Sequence, residues 1–155
     1  MLDCALRHNM DLKETAVERF QQGYCCSQAV FSTLAGKRGL DTDLSFRIAA
    51  GFGGGLARSA QTCGCVTGAM MAIGLSQRSV SPEDNRSERE ETYAACQRFM
   101  RAFEDRNGSL ICRDLLGCDI STPEGLAETR EKALFQSRCV KLIGDAVELA
   151  DGLTK

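Results

Sequence analysis

Cysteine is the residue type in this chain with the most capacity for chemistry. The 155 residues include nine cysteines and only one histidine. In a reducing compartment, such a density indicates metal binding or redox chemistry more than a disulfide framework. Free cysteine is also among the most buried residue types, so some of these thiols are expected simply to fill the core. The cysteines are Cys4, Cys25, Cys26, Cys63, Cys65, Cys96, Cys112, Cys118 and Cys139.

Other common site chemistries lack the residues that they need. His8, the single histidine, lies in a terminal segment, so Ser–His and Cys–His nucleophile arrangements and histidine-containing zinc sites are not expected. The glycine stretch GFGGG at 51–55 has neither the G-x-x-x-x-G-K-[ST] order of a phosphate-binding loop nor a G-x-G-x-x-G pattern. Its glycines are better suited to positive φ angles and close backbone approach around a site. The remaining chemistry is that of sulfur.

Charge and hydropathy predict a soluble protein. Nineteen basic and 21 acidic residues give a net charge of -2, which disfavours nucleic acid as a partner. No basic run suits an anionic membrane, and no apolar stretch is long enough to span a bilayer or to form a secretory signal. We therefore expect a cytoplasmic protein that neither binds nucleic acid nor inserts into a membrane.

Apolar residues recur at helical spacing almost throughout, and no stretch with a period of two predicts a strand. We predict an all-α fold, a compact single-domain bundle of about five to seven helices over residues 1–155, with residues 1–10 as a flexible N-terminal tail. The polar residues 79–91 are predicted as a linker that runs into the longest helix. The predicted helix starts lie at Asp11, near Cys26, at Asp41 or Asp43, at Thr62, near Asn85, at Ser109 and after Ser137.

Four cysteines fall near these predicted helix starts. Unpaired backbone N–H groups at a helix N-terminus favour a thiolate over a thiol, which suits both a metal ligand and a redox nucleophile. Because the four lie far apart in sequence, any site that they share must be assembled by the tertiary fold. They are Cys26, Cys63, Cys112 and Cys139.

Four segments resemble the successive blocks of the C_GCAxxG_C_C family of redox-active proteins: RFQQGYCCSQAV, AAGFGGGLARSAQTCGCVTGAMMAIGL, NGSLICRDLLGCDI and SRCVKLIGDAVELA. The resemblance implies a small helical redox domain in which Cys26, Cys63, Cys112 and Cys139 are the family cysteines. It also implies a relation to the cysteine domain of split-Soret cytochromes, which is associated with an iron–sulfur centre. Cys65 stands where the family box usually has a small residue, so it is either an accessory ligand or a small packed side chain.

The residues and the resemblance leave three functions open. The first is an iron–sulfur protein for electron transfer or redox sensing, with the four family cysteines as metal ligands. The second is a metal-free thiol–disulfide protein in which two of the same cysteines cycle. The third is a structural or binding protein, either with a four-cysteine zinc site or with no metal.

In the first two cases the protein acts as an oxidoreductase or as an electron carrier. A redox partner protein of unidentified type is then expected, and self-association into a homodimer stays open. Four glycines are expected to contact a cofactor through their backbone N–H groups: Gly53, Gly54, Gly55 and Gly64. Cys65 is expected to contact it through an accessory thiol.

Overall fold

The computed structural model describes residues 11–154, so Cys4, His8 and the predicted tail at residues 1–10 lie outside the described residues. The described chain is all-α, as predicted, with eight α-helices, one 3-10 turn (Ala50–Phe52) and one π-helical segment (Phe135–Cys139). None of these helices is both long and apolar enough to cross a lipid bilayer. The α-helices are α1 (Leu12–Gln21), α2 (Cys26–Gly36), α3 (Thr42–Ala49), α4 (Gly64–Gly74), α5 (Pro82–Asn107), α6 (Cys112–Leu116), α7 (Pro123–Glu131) and α8 (Val140–Asp151).

The predicted number of helices was too low because α7 was missed. This helix buries only Gly125 and Thr129, so it has little apolar periodicity. Its signal is instead the cap: Thr122 precedes Pro123, and the Thr122 hydroxyl accepts a hydrogen bond from the Gly125 backbone N–H at 3.0 Å.

The longest helix begins three residues before its predicted start near Asn85, because α5 starts at Pro82, within the polar segment 79–91. Ser81 is the N-cap, and its hydroxyl accepts a hydrogen bond from the Asp84 N–H at 3.3 Å. Proline at the first helical position and two acidic residues in the first turn support this start. The polar composition that suggested a linker is that of an exposed first turn.

Helices α2 and α4 pack closely and run in the same direction. A Cβ atom at Gly68 of α4 would lie 2.9 Å from the carbonyl oxygen of Ser27 and 3.3 Å from the backbone nitrogen of Phe31, both on α2. Only glycine permits this approach, since a Cβ atom would be forced against backbone. The N-terminal ends of α2 and α4, which carry Cys26 and Cys63, are thereby brought together.

Candidate functional site

One cavity of about 440 Å³ gathers six of the described cysteines. All four family cysteines line it, although the elements that carry them are far apart in sequence. Of the eight described cysteines, Cys96 and Cys118 lie outside the cavity wall, and both are buried. Sequence reasoning did not assign Cys25 to the site; its only signal was its position next to Cys26. The cysteines in the wall are Cys25, Cys26, Cys63, Cys65, Cys112 and Cys139.

Cys26 and Cys63 occupy the helix starts predicted for them. Cys26 is the first residue of α2, and Cys63 is the N-cap of α4. The start of α2 is fixed by the Cys25 backbone N–H, which donates to the Gln28 side-chain oxygen at 3.0 Å. The buried Ser27 hydroxyl donates to the Ala49 carbonyl oxygen at 2.8 Å and ties this start to the end of α3.

An isolated antiparallel bridge between Thr62 and Ile111 holds Cys63 and Cys112 on adjacent segments. The Cys112 backbone N–H donates to the Gln61 carbonyl oxygen at 2.6 Å. This N–H group is therefore used by the bridge, although Cys112 begins α6. A bridge of one residue pair is too short to produce a period-two pattern of residues, so this bridge was not predicted.

Cys139 does not lie at a free helix start, and this prediction was wrong. Helical structure begins at Leu134 and passes through the π-helical segment Phe135–Cys139 directly into α8. Ser137, the predicted cap, lies inside this segment, and its hydroxyl donates to the Ala133 carbonyl oxygen at 3.1 Å. The helical conformation is interrupted earlier, at Ala133, whose φ is +52°. π-helical turns are frequent at functional sites, and this one leads Cys139 into the cavity wall.

Three glycines pack directly against cavity cysteines, and at Gly53, which lines the cavity, an added Cβ atom would lie 2.6 Å from the Cys25 sulfur. A Cβ atom at Gly55 would lie 2.7 Å from the Cys112 Cβ, and a Cβ atom at Gly64 would overlap the Cys26 sulfur. Neither Gly55 nor Gly64 lines the cavity itself, so their role in the structure is to leave room for these cysteine side chains.

The loop after the 3-10 turn is a left-handed turn that borders the cavity. Residues 54–58 all have φ between +49° and +68°. Three of them are not glycine: Leu56, Ala57 and Arg58. Left-handed backbone costs such residues about 1–2 kcal/mol each, and hydrogen bonds such as Arg58 N–H to Gly53 carbonyl oxygen, at 3.0 Å, hold the turn. Gly53 and Gly54 line the cavity, and strain of this kind is concentrated at functional sites.

The cavity thiols shift one another's pKa values strongly. Contacts with the thiols of Cys63 and Cys65 hold the pKa of Cys26 well below its ordinary value, against the effect of burial. The contact with Cys26, together with burial, raises the pKa of both Cys63 and Cys65. Burial raises the pKa of Cys112 to about 12 and also raises that of Cys139. Cys26 is therefore the thiol that this site favours as a thiolate.

The described cysteines are all free thiols. Within residues 11–154, no group of three or more His, Cys, Asp or Glu side chains already stands in an arrangement that could hold a metal ion. The thiols thus surround a common space without meeting at a single point in it.

Comparison with known proteins gives a family and no individual relative. Neither the curated proteins nor the solved structures include a match to this chain. A family model described as "Putative redox-active protein (C_GCAxxG_C_C)" matches residues 24–153, which is most of the chain and includes all six cavity cysteines. The resemblance stated from the sequence is thereby confirmed, and the chain belongs to the C_GCAxxG_C_C family.

Proposed function

We propose that this protein binds an iron–sulfur cluster and uses it for electron transfer or redox sensing. The supporting observation is that four thiols from four separate elements line one cavity of about 440 Å³. Four cysteine thiolates are the usual ligands of such clusters, which supply reversible electron exchange when bound. The proposed ligands are Cys26, Cys63, Cys112 and Cys139.

The residues around the cavity fit this group. Among the described residues, six thiols and no carboxylate or imidazole line the wall, and soft thiolates favour iron–sulfur clusters, zinc and Cu(I). A single zinc ion would hold its four sulfurs at about 2.3 Å from the metal. The cavity walls would have to move inwards and remove most of the space for the four thiols to reach that distance. A group of several metal and sulfur atoms needs such a space, so we favour a cluster over a four-cysteine zinc site.

The chain's own groups would serve the ligands in different ways. Cys26 is favoured as a thiolate, whereas Cys112 and Cys139 must lose their protons on binding because burial raises their pKa values. The backbone N–H of Gly54 faces the Cys26 sulfur, and hydrogen bonds to sulfur tune a reduction potential. Cys65 is fully buried at the cavity wall, and we propose it as an accessory sulfur.

Spectroscopy of protein isolated without oxygen tests this function. We expect a brown protein whose visible absorption bleaches on reduction and returns on controlled oxidation, with a paramagnetic resonance signal in one of the two states. A protein that is colourless as isolated from iron-replete cells, and that shows no such signal in either state, would contradict the proposal.

A metal-free thiol–disulfide activity is the second candidate, and the contact of Cys26 with Cys63 and Cys65 favours it. In this reaction the Cys26 thiolate attacks one sulfur of a disulfide substrate and displaces the other sulfur as a thiolate. Cys63 or Cys65 then loses its proton and attacks the mixed disulfide, which leaves an internal disulfide and two substrate thiols.

Counting titratable thiols before and after mild oxidation of metal-free protein tests this second candidate. A loss of two thiols per chain that is reversed by a reductant supports it, and peptide mapping should then place the disulfide at Cys26. An unchanged count rules it out.

A further inference from the structure

Two arginines are the charged side chains in the wall of the cysteine cavity: Arg58 and Arg130. No aspartate or glutamate among the described residues lines it, although the chain has 21 acidic residues against 19 basic ones. The local charge of this wall is therefore positive in a protein whose net charge is negative.

Both guanidinium groups are without a partner among residues 11–154, unlike Arg113 and Arg138, which adjoin Cys112 and Cys139 in sequence. Arg113 pairs with Asp119 at 3.8 Å, and Arg138 donates to the Leu116 carbonyl oxygen at 2.8 Å. No hydrogen bond or ion pair within the described chain engages the side chain of Arg58 or Arg130, and both residues are exposed. Their donors are therefore available to a ligand.

The backbone places Arg58 at the cavity at a cost. Its φ of +61° is left-handed, a conformation that glycine would adopt without strain. Arg130 reaches the same wall from α7, a distant part of the chain. Two elements with unrelated local structure thus each supply to one cavity a guanidinium that has no partner within residues 11–154.

The rest of the wall suits a small molecule. Its volume of about 440 Å³ falls in the range of roughly 300–1,000 Å³ that is typical of small-molecule sites. Apolar side chains, among them Leu126 and Phe135, line it together with the thiols. The planar guanidinium fork matches the oxygens of carboxylate and phosphate groups.

We propose that this cavity is selective for anions: it admits small molecules that carry carboxylate or phosphate groups to the thiols. Arg58 and Arg130 bind the anionic group, and the apolar wall contacts the remainder of the molecule. The proposal rests on the proposed function only in taking these thiols as the reactive groups, and it concerns the metal-free protein, in which no cluster occupies the cavity.

Two aromatic disulfide reagents test this selectivity on the reduced, metal-free protein. Dithiobis-nitrobenzoate carries carboxylates, and dithiodipyridine is uncharged at mildly alkaline pH. With either reagent a cysteine thiolate displaces one aryl thiolate and forms a mixed disulfide. Peptide mass spectrometry then gives the modification rates of Cys26 and Cys139, the two half-buried family cysteines, and the measured quantity is the ratio of the rates for the two reagents.

In the double variant Arg58→Gln/Arg130→Gln, we expect the ratio of anionic to uncharged reagent to fall about tenfold at low ionic strength, as the Coulomb attraction of two nearby charges predicts. Added salt should reduce the ratio in the unmodified protein. The matched control is Arg86→Gln/Arg101→Gln, two exposed arginines of α5 outside the cavity wall. It changes the net charge equally and should leave the ratio unchanged.

Protection by inorganic phosphate or by a dicarboxylate such as succinate shows which oxyanion is preferred. An unchanged ratio in the cavity variant, or an equal fall in the control, overturns the proposal. Because the ratio is measured on metal-free protein, it does not depend on whether the protein carried a cluster when it was isolated. A colourless protein with a normal ratio would therefore refute the cluster alone, and an iron-containing protein whose ratio ignores the arginines would refute anion selectivity alone.

Discussion

Replacing Gly64 with alanine would add a methyl group at the point where α4 meets Cys26. The added Cβ would overlap the Cys26 sulfur and would lie 3.1 Å from both the Phe52 carbonyl oxygen and the Ser27 backbone nitrogen. Backbone atoms on two sides leave the methyl group nowhere to move. The Cys26 side chain must therefore be displaced, or α2 and α4 must separate.

Overpacking of this kind costs about 1–3 kcal/mol, against a gain of at most about 1 kcal/mol when alanine replaces glycine in a helix. Gly74, the last residue of the same helix, is the matched control, because a Cβ atom there meets nothing within 4 Å. Gly74→Ala should be neutral or slightly stabilising. We expect the two variants to differ by about 2 kcal/mol in the free energy of unfolding.

Urea denaturation of the reduced, metal-free proteins measures this difference, provided that the slope of the free energy with urea concentration is the same in both. The visible absorption of anaerobically isolated protein gives a second readout, since displacement of Cys26 should weaken cofactor binding. If Gly64→Ala were as stable as Gly74→Ala and kept its colour, the close packing of α4 against Cys26 would be refuted.

Three further predictions concern the thiols and the left-handed turn. Serine at any of Cys26, Cys63, Cys112 or Cys139 should abolish bound iron, measured by elemental analysis, whereas Cys96→Ser and Cys118→Ser, which are buried outside the cavity, should retain it. In reduced, metal-free protein, burial raises the pKa of Cys112 to about 12, so its thiol stays protonated when folded but ionises near pH 8.5 when unfolded. Urea denaturation should therefore show stability falling as pH rises from about 8 to 12, less steeply in Cys112→Ser; equal slopes would refute this. Ala57→Gly should raise the free energy of unfolding by about 1 kcal/mol, because glycine adopts a left-handed conformation without strain. Ala133→Gly, at a similar φ but remote from that turn, should do the same. Destabilisation in both variants would contradict the strain assigned to these positions.

The helix starts at Cys26 and Cys63 could be predicted from sequence because their signals are local. Thr62 marks the start of α4 within a few residues, and apolar periodicity follows each start. Cys139 was misplaced by the same reasoning, because Ser137 has the composition of a cap but lies within a π-helical segment. No residue pattern used in the prediction marks such a segment. The helix that contains it starts after Ala133, which has a left-handed conformation but is not glycine, so the usual sequence signal for that conformation was absent.

The assembly of the cavity was beyond local reasoning. The Thr62–Ile111 bridge, which aligns the segments of Cys63 and Cys112, joins distant parts of the chain through one residue pair. The GFGGG stretch indicated positive φ angles, which Gly54 and Gly55 adopt and Gly53 does not, and the turn continues through Arg58, where intrinsic preference opposes it. The grouping of the four family cysteines came from their positions near predicted helix starts and from the family resemblance, and not from their spacing. Cys25, Arg58 and Arg130 were identified only by the fold.

The iron and acid-labile sulfide content of the unmodified protein, prepared without oxygen from iron-replete cells, tests the central claim most directly. A cluster held by Cys26, Cys63, Cys112 and Cys139 predicts iron and sulfide in nearly equal amounts, at a constant ratio to protein across preparations. Zinc in place of iron, or iron without sulfide, or neither metal together with a full count of free thiols, would contradict it.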